Sequence, residues 1–167
     1  SSNDSVSHLA DVASSLLGRV DILVNNAGIT HLPKPMQDVA EEEFDRVMAV
    51  NCKSVYLTAK HLVPAMTGAG QGVILNIAST AGLSPRPRLN WYNASKGWMI
   101  TATRAMAVEL APLGIRVNAL SAGPMRTLAM AGISGGKALM RTGREWSMMK
   151  EDTRMEGVAG AALYLLS

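Results

Sequence analysis

The sequence of 167 residues has a single cysteine, few aromatic residues and no long apolar run. Cys52 cannot form an internal disulfide, and it has no cysteine or histidine partner at the spacing of a zinc site. The longest strongly apolar stretches, residues 72–78 and 158–166, are far shorter than the roughly 18 residues that cross a bilayer. These absences exclude a disulfide-stabilised scaffold and predict neither a metal site nor a membrane span.

An excess of charge of one sign is also lacking. Sixteen Lys+Arg oppose thirteen Asp+Glu, which gives a net charge of +3, and the basic residues are scattered along the chain. Nucleic acid is therefore not a predicted partner. The first 20 residues contain no basic segment followed by an apolar one, so no secretory signal is recognised and a cytoplasmic location is expected.

Hydrophobic residues make up 48% of the chain. Their spacing predicts helices that alternate with strands. Short apolar runs at residues 21–28, 72–78 and 116–120 alternate with long segments of helical periodicity, such as 41–66 and 92–110. This order predicts one α/β domain: a doubly wound parallel sheet with helices on both faces, in three layers. Residues 125–150, rich in Gly and Met, are predicted to form a mobile flap.

Side chains that could take part in a reaction cluster where the strands of such a sheet end, which is where its ligands bind. Ser79 follows the second strand, and Tyr92 and Lys96 stand one helical turn apart at the start of the next helix. A nearby ammonium lowers the pKa of a phenol from about 10 towards the range of a general acid/base. Each of these residues also has a purely structural interpretation. A Tyr–Lys pair at this spacing is typical of a solvated helix face, and a serine at a strand end, such as Ser79, is typical of a turn. Asn51, in the helical segment 41–66, is typical of a core amide whose hydrogen bonds are satisfied.

Taken together, four motifs resemble the short-chain dehydrogenase/reductase family. They are N-N-A-G at residues 25–28, Asn51 in the following helix, Ser79, and Y-x-x-x-K at residues 92–96. The match stays in register from about residue 20 to residue 121, and V-N-A-L at 117–120 continues it. The resemblance implies a Rossmann-like fold and an NAD(P)-dependent oxidoreductase that binds NAD or NADP and interconverts a secondary alcohol and a ketone or aldehyde.

The resemblance also implies roles for individual residues. Tyr92 would exchange the proton of the substrate oxygen, Lys96 would lower its pKa and hold the nicotinamide ribose, and Ser79 would anchor the substrate carbonyl. Asn51 would hold a water that relays protons from Lys96. Family members commonly assemble as homodimers or homotetramers, which here would use residues 41–66 and 92–110. The expected cofactor-binding residues are Asn25, Ala27, Gly28, Tyr92, Lys96, Gly123 and Thr127.

Two departures from the family pattern leave alternatives open. The glycine-rich phosphate-binding turn and the residue that selects NAD or NADP are absent. We therefore expect residues 1–167 to be a partial domain, without the first two βα units and the last strand, that binds NAD(P)H weakly on its own. Residues 121–133 resemble the enoyl-[acyl-carrier-protein] reductases, although the Tyr–Lys spacing is wider in that branch. The alternative functions are an enoyl-thioester reductase and a catalytically inactive fragment.

Overall fold

Helices and parallel strands alternate along the chain in the computed structural model, which describes residues 2–125, 140–141, 144–145 and 150–167. The predicted order of elements is confirmed over these residues. The helices and strands are α1 (Asn3–Leu17), β1 (Ile22–Asn25), α2 (Glu41–Met48), α3 (Ser54–Ala69), β2 (Gly72–Ile77), α4 (Asn90–Leu110), β3 (Ile115–Leu120) and α5 (Met155–Leu166).

The three strands form one parallel sheet in the order β1-β2-β3. Leu23 is the register partner of Ile74, which is in turn the partner of Val117. Register partners point to the same face of a parallel sheet, so these three side chains form one apolar row. They join Met66 of α3 and Leu110 of α4 in a buried core that also includes α1.

The opposite face of the sheet carries α5. Arg116 stands one residue before Val117, so its side chain points away from the main core. Its Nη1 donates a hydrogen bond to the carbonyl oxygen of Leu165 in α5, at 3.2 Å. Helices therefore cover both faces, which confirms the predicted three-layer Rossmann-like architecture.

The predicted continuous helix over residues 41–66 is wrong in one respect. Helix α2 ends at Met48, one π-helical turn spans Ala49–Lys53, and α3 runs on to Ala69. A π-turn is wider than an α-helical turn and is often found at functional sites because it redirects one side chain. Apolar periodicity does not reveal such a turn. Its buried polar member is Asn51.

Other boundaries differ by a few residues from those predicted. Strand β1 ends at Asn25, so residues 26–28 are a turn beyond its carboxyl end, and α4 begins at Asn90, two residues before Tyr92. The three strands end at the same edge of the sheet, because they are parallel and in register. Most of the predicted flap, residues 126–139, 142–143 and 146–149, lies outside the described residues.

Candidate active site

The first two turns of α4 hold Tyr92 and Lys96. Tyr92 is half-buried, whereas Lys96 is only 4% exposed. The Lys96 Nζ donates a hydrogen bond to the carbonyl oxygen of Ile77 at 2.8 Å. Ile77 is the last residue of β2, two positions before Ser79. This hydrogen bond therefore joins the helix that carries Tyr92 to the strand end that carries Ser79.

Burial controls the ionisation of the groups around Lys96. Loss of solvent lowers the pKa of Lys96, because the ammonium is the charged form, and the nearby Cys52 raises it in part. The same burial raises the pKa of the Cys52 thiol, which the Lys96 charge lowers in part. Cys52 is thus held in its neutral form, and it is poorly suited to nucleophilic chemistry.

Ser79 lies in a tight turn that packs directly on α4. Its Oγ accepts a hydrogen bond from the backbone N–H of Ala81 at 3.1 Å, at the start of the 3₁₀ turn Thr80–Gly82. A Cβ on Gly82 would lie 2.7 Å from the carbonyl carbon of Lys96 and 2.8 Å from the nitrogen of Gly97. Only glycine permits this approach, so Gly82 sets the distance between Ser79 and α4. Sequence analysis missed this residue.

Asn51 ties the turn after β1 to α4. Its Oδ1 accepts from the N–H of Ile29 at 2.9 Å, and its Nδ2 donates to the carbonyl of Ile29 and to Ser95 Oγ, both at 2.9 Å. Gly28 fits against this group, because a Cβ there would lie 3.2 Å from Lys96 Nζ and 3.6 Å from Asn51 Oδ1. The structure thus brings Gly28, Asn51 and Lys96 together.

The other predicted cofactor-binding residues are placed differently from one another. Asn25 is buried: its Nδ2 donates to Asn76 Oδ1 at 2.8 Å, and its Oδ1 accepts from Thr58 Oγ1 at 2.9 Å. Its side chain thus ties β1 to β2 and α3, while the neighbouring Ala27 is exposed. Gly123 follows β3, and Thr127 lies outside the described residues.

His31 is a second residue that sequence analysis missed. It is 2% exposed, and its Nδ1 is 2.8 Å from the carbonyl oxygen of Leu32, which requires a hydrogen on Nδ1. Its Nε2 is buried and has no hydrogen-bond partner among the described residues. Its only signal in the sequence is its position six residues beyond β1, in the loop that Asn51 holds.

The helical surfaces expected to pack on another subunit are partly exposed. Tyr56 is 56% exposed and Trp98 is 39% exposed. Together with Met48 they line an apolar groove between the π-turn, α3 and α4, which we call the Tyr56–Trp98 groove. Leu57, next to Tyr56 in the same helix, is only 2% exposed and cannot contribute to this surface. Met106 also packs against the main core.

The described ranges contain neither a candidate membrane span nor a candidate metal site. No helix there combines the length and apolar character of a membrane span. In the same ranges, no three His, Cys, Asp or Glu side chains are grouped as a metal would require.

Comparisons with known proteins identify the family of the chain. A family model described as Enoyl-(Acyl carrier protein) reductase matches residues 1–167. The chain is 46% identical, over 76% of its length and 50% of the relative's, to a 4-formylbenzenesulfonate dehydrogenase of Comamonas testosteroni. It is 45% identical, over 65% of its length and 43% of the relative's, to a cyclopentanol dehydrogenase of a Comamonas species.

A solved structure extends the match to almost the whole chain. The 3-ketoacyl-(acyl-carrier-protein) reductase of Brucella melitensis, crystallised with NADH, is 40% identical with a TM-score of 0.91, over 99% of this chain and 67% of that one. The chain spans about half the length of the curated relatives it matches. On these matches and the fold, the chain belongs to the short-chain dehydrogenase/reductase family.

Proposed function

We propose that this protein is an NAD(P)-dependent oxidoreductase that interconverts a small alcohol and the corresponding ketone or aldehyde. The observation that carries the proposal is the hydrogen bond from Lys96 Nζ to the Ile77 carbonyl. It fixes a buried ammonium between the end of the strand that precedes Ser79 and the helix turn that begins with Tyr92. The names of the relatives above support the same reaction class.

The chain's own residues supply proton transfer and charge stabilisation. In the reducing direction, negative charge develops on the substrate oxygen, and Tyr92 donates its phenol proton there. Ser79 already accepts a hydrogen bond at Oγ from Ala81, so its hydroxyl hydrogen can be donated to the same oxygen. The phenolate left on Tyr92 is stabilised by the Lys96 ammonium, one turn away on the same helix.

The residues around Gly28 fit one side of a dinucleotide site. Residues 26–28 are exposed at the carboxyl end of β1, and the Gly28 backbone is close to both Lys96 Nζ and Asn51. Lys96, Tyr92 and the backbone of Ala27 and Gly28 would hold the nicotinamide ribose and adenosine side of NAD or NADP. When bound, the nicotinamide carries the hydride that the substrate carbon exchanges.

Asn51 is proposed here as a positioning residue. Its side chain forms hydrogen bonds with Ile29 and Ser95, which fixes the turn at Gly28 against α4. The relay role that the family resemblance implies stays a prediction.

A second candidate function is enoyl-thioester reduction. It is favoured by the description of the family model that matches the whole chain. In that reaction hydride adds to the carbon β to the thioester carbonyl, and Tyr92 would serve the enolate oxygen instead. The spacing of three residues between Tyr92 and Lys96 favours the alcohol and carbonyl reaction.

The two functions are separated by substrate panels. The protein is assayed with NADH and NADPH against aldehydes, ketones and enoyl thioesters, and oxidation of the cofactor is followed by its absorbance. We expect turnover of aldehydes or ketones with one of the two cofactors. Turnover of enoyl thioesters alone would establish the second function. Failure of calorimetry to detect any cofactor binding would favour the catalytically inactive fragment.

We also propose that the protein assembles as a homodimer or homotetramer and is located in the cytoplasm. The exposed Tyr56 and Trp98 support an interface that includes α3 and α4. The single cysteine of residues 1–167, Cys52, is consistent with a reducing compartment, because no disulfide can form within these residues.

A further inference from the structure

A cavity of about 330 Å³ adjoins the turn after Ser79 and is not used by the proton-transfer residues. It lies between that turn, the loop before α4 and the residues that follow β3. Its lining includes two guanidinium groups, two carboxylates and three hydroxyl groups. Lining residues include Thr80, Arg86, Gly123, Arg144, Asp152 and Thr153.

Arg86 contacts both α4, through Asn93, and the Ser79 turn, through Thr80. The buried side chain of Asn93, the residue after Tyr92, binds the Arg86 backbone twice. Asn93 Oδ1 accepts from the Arg86 N–H at 3.2 Å, and Asn93 Nδ2 donates to the Arg86 carbonyl at 2.8 Å. The Arg86 Nη2 is 3.5 Å from the hydroxyl of Thr80, the residue after Ser79. Thr80 directly follows Ser79 in the chain, so the guanidinium lies beside the turn that carries Ser79.

The cavity also contains an ion pair. Asp152 and Arg144 bind each other through two hydrogen bonds, with Nε to Oδ1 at 3.2 Å and Nη2 to Oδ2 at 2.8 Å. Glu151 is exposed at the rim. The Arg86 guanidinium contacts the Ser79 turn through Thr80. A guanidinium binds carboxylate and sulfonate oxygens through paired N–H donors.

We propose that Arg86 is a specificity residue that binds an oxyanion on the substrate, a carboxylate or a sulfonate, while the carbonyl is held at Ser79 and Tyr92. This inference rests on the proposed function and narrows its substrates to anionic carbonyl compounds and the corresponding alcohols.

The test compares charged and neutral substrates of similar shape. Reduction of 3- and 4-carboxybenzaldehyde is measured against their methyl esters in the wild type, Arg86→Gln, Arg86→Lys and Arg88→Gln. We expect the wild type to prefer the carboxylates in kcat/KM by about 10- to 100-fold, the usual effect of one charge-assisted hydrogen-bonded pair. The preference should fall close to one in Arg86→Gln and recover in part in Arg86→Lys. Arg88, exposed in the same loop, is the matched control and should retain it.

A binding measurement separates this inference from the proposed function. Benzoate, benzenesulfonate and neutral benzamide are titrated into the protein by calorimetry without cofactor. Anion binding that weakens at least 10-fold in Arg86→Gln supports the site, even if no aldehyde is reduced, and the two anions show which oxyanion is preferred. Equal reduction of acids and esters, or anion binding unchanged in Arg86→Gln, would overturn the inference while leaving the proposed reaction intact. An equal loss in Arg88→Gln would also overturn it.

Discussion

At the scale of single residues, Lys96 illustrates how a proposed catalytic group can lower the stability of the fold. Its ammonium is almost fully buried, and among the described residues the structure gives it one carbonyl acceptor, that of Ile77. Burying a cation without an anionic partner lowers its pKa and costs free energy at neutral pH. The sequence predicts the one-turn spacing of Tyr92 and Lys96. It could not predict the burial or the Ile77 contact, because both depend on how α4 packs on β2.

Replacing Lys96 should separate activity from stability. Lys96→Met keeps the side-chain volume and removes the buried charge, so we expect turnover to be lost while the free energy of unfolding at pH 7 is unchanged or higher. Lys60→Met, an exposed lysine on α3, is the control and should change stability by less than about 0.5 kcal/mol. Urea unfolding measures each variant. A loss of more than about 2 kcal/mol in Lys96→Met would contradict the cost assigned to burial.

The same comparison should depend on pH in a defined direction. The pKa of Lys96 in the folded protein lies below the unfolded value of about 10.4, so between the two values the unfolded chain binds more protons. In that interval the wild-type free energy of unfolding rises with pH relative to Lys96→Met. Unfolding curves from neutral pH to about pH 10 test this. A constant difference between the two proteins would argue against a lowered Lys96 pKa.

At the scale of elements, the proposed active site depends on the close packing of the Ser79 turn and α4. Periodicity predicts the strands and helices well, because apolar spacing follows from which face is buried. It does not predict the π-turn at Asn51 or the contact of Gly82 with the Lys96 backbone, because both are three-dimensional fits with no periodic signature. The family motifs locate Ser79, Tyr92 and Lys96, whereas Gly82, His31 and Arg86 emerge only from the fold.

Substituting Gly82 should disturb the site without touching a reacting group. In Gly82→Ala the new methyl group meets backbone atoms at 2.7–2.8 Å, so the Ser79 turn must move away from α4. We expect a loss of about 1–3 kcal/mol in stability and a fall in kcat of up to about 100-fold. Gly68→Ala in α3 is the control: no atom lies within 4 Å of its Cβ. Because alanine is favoured over glycine within a helix, Gly68→Ala should raise the free energy of unfolding by about 0.5–1 kcal/mol. Equal behaviour of the two variants would disprove the positioning role.

For the whole molecule, the Tyr56–Trp98 groove is the surface where we expect a second copy to bind. Trp98→Asp places a charge in this groove and should shift the protein towards monomer. Leu113→Asp, also exposed but outside the groove, should leave the assembly unchanged. Size-exclusion chromatography with light scattering at micromolar concentration gives the masses. A monomeric wild type, or an unchanged mass in Trp98→Asp, would count against this interface.

The most direct test of the central claim is the kinetics of Tyr92→Phe in the protein that carries this chain. This substitution removes only the oxygen that transfers the proton, so we expect kcat to fall by at least about 100-fold. Affinity for NAD(P)H, titrated by fluorescence, should remain within a few-fold of the wild type. Tyr56→Phe, which lies outside the site, should match the wild type in both measurements. A Tyr92→Phe protein that reduces carbonyl substrates at near wild-type kcat would contradict the assignment of the reaction to Tyr92, Lys96 and Ser79.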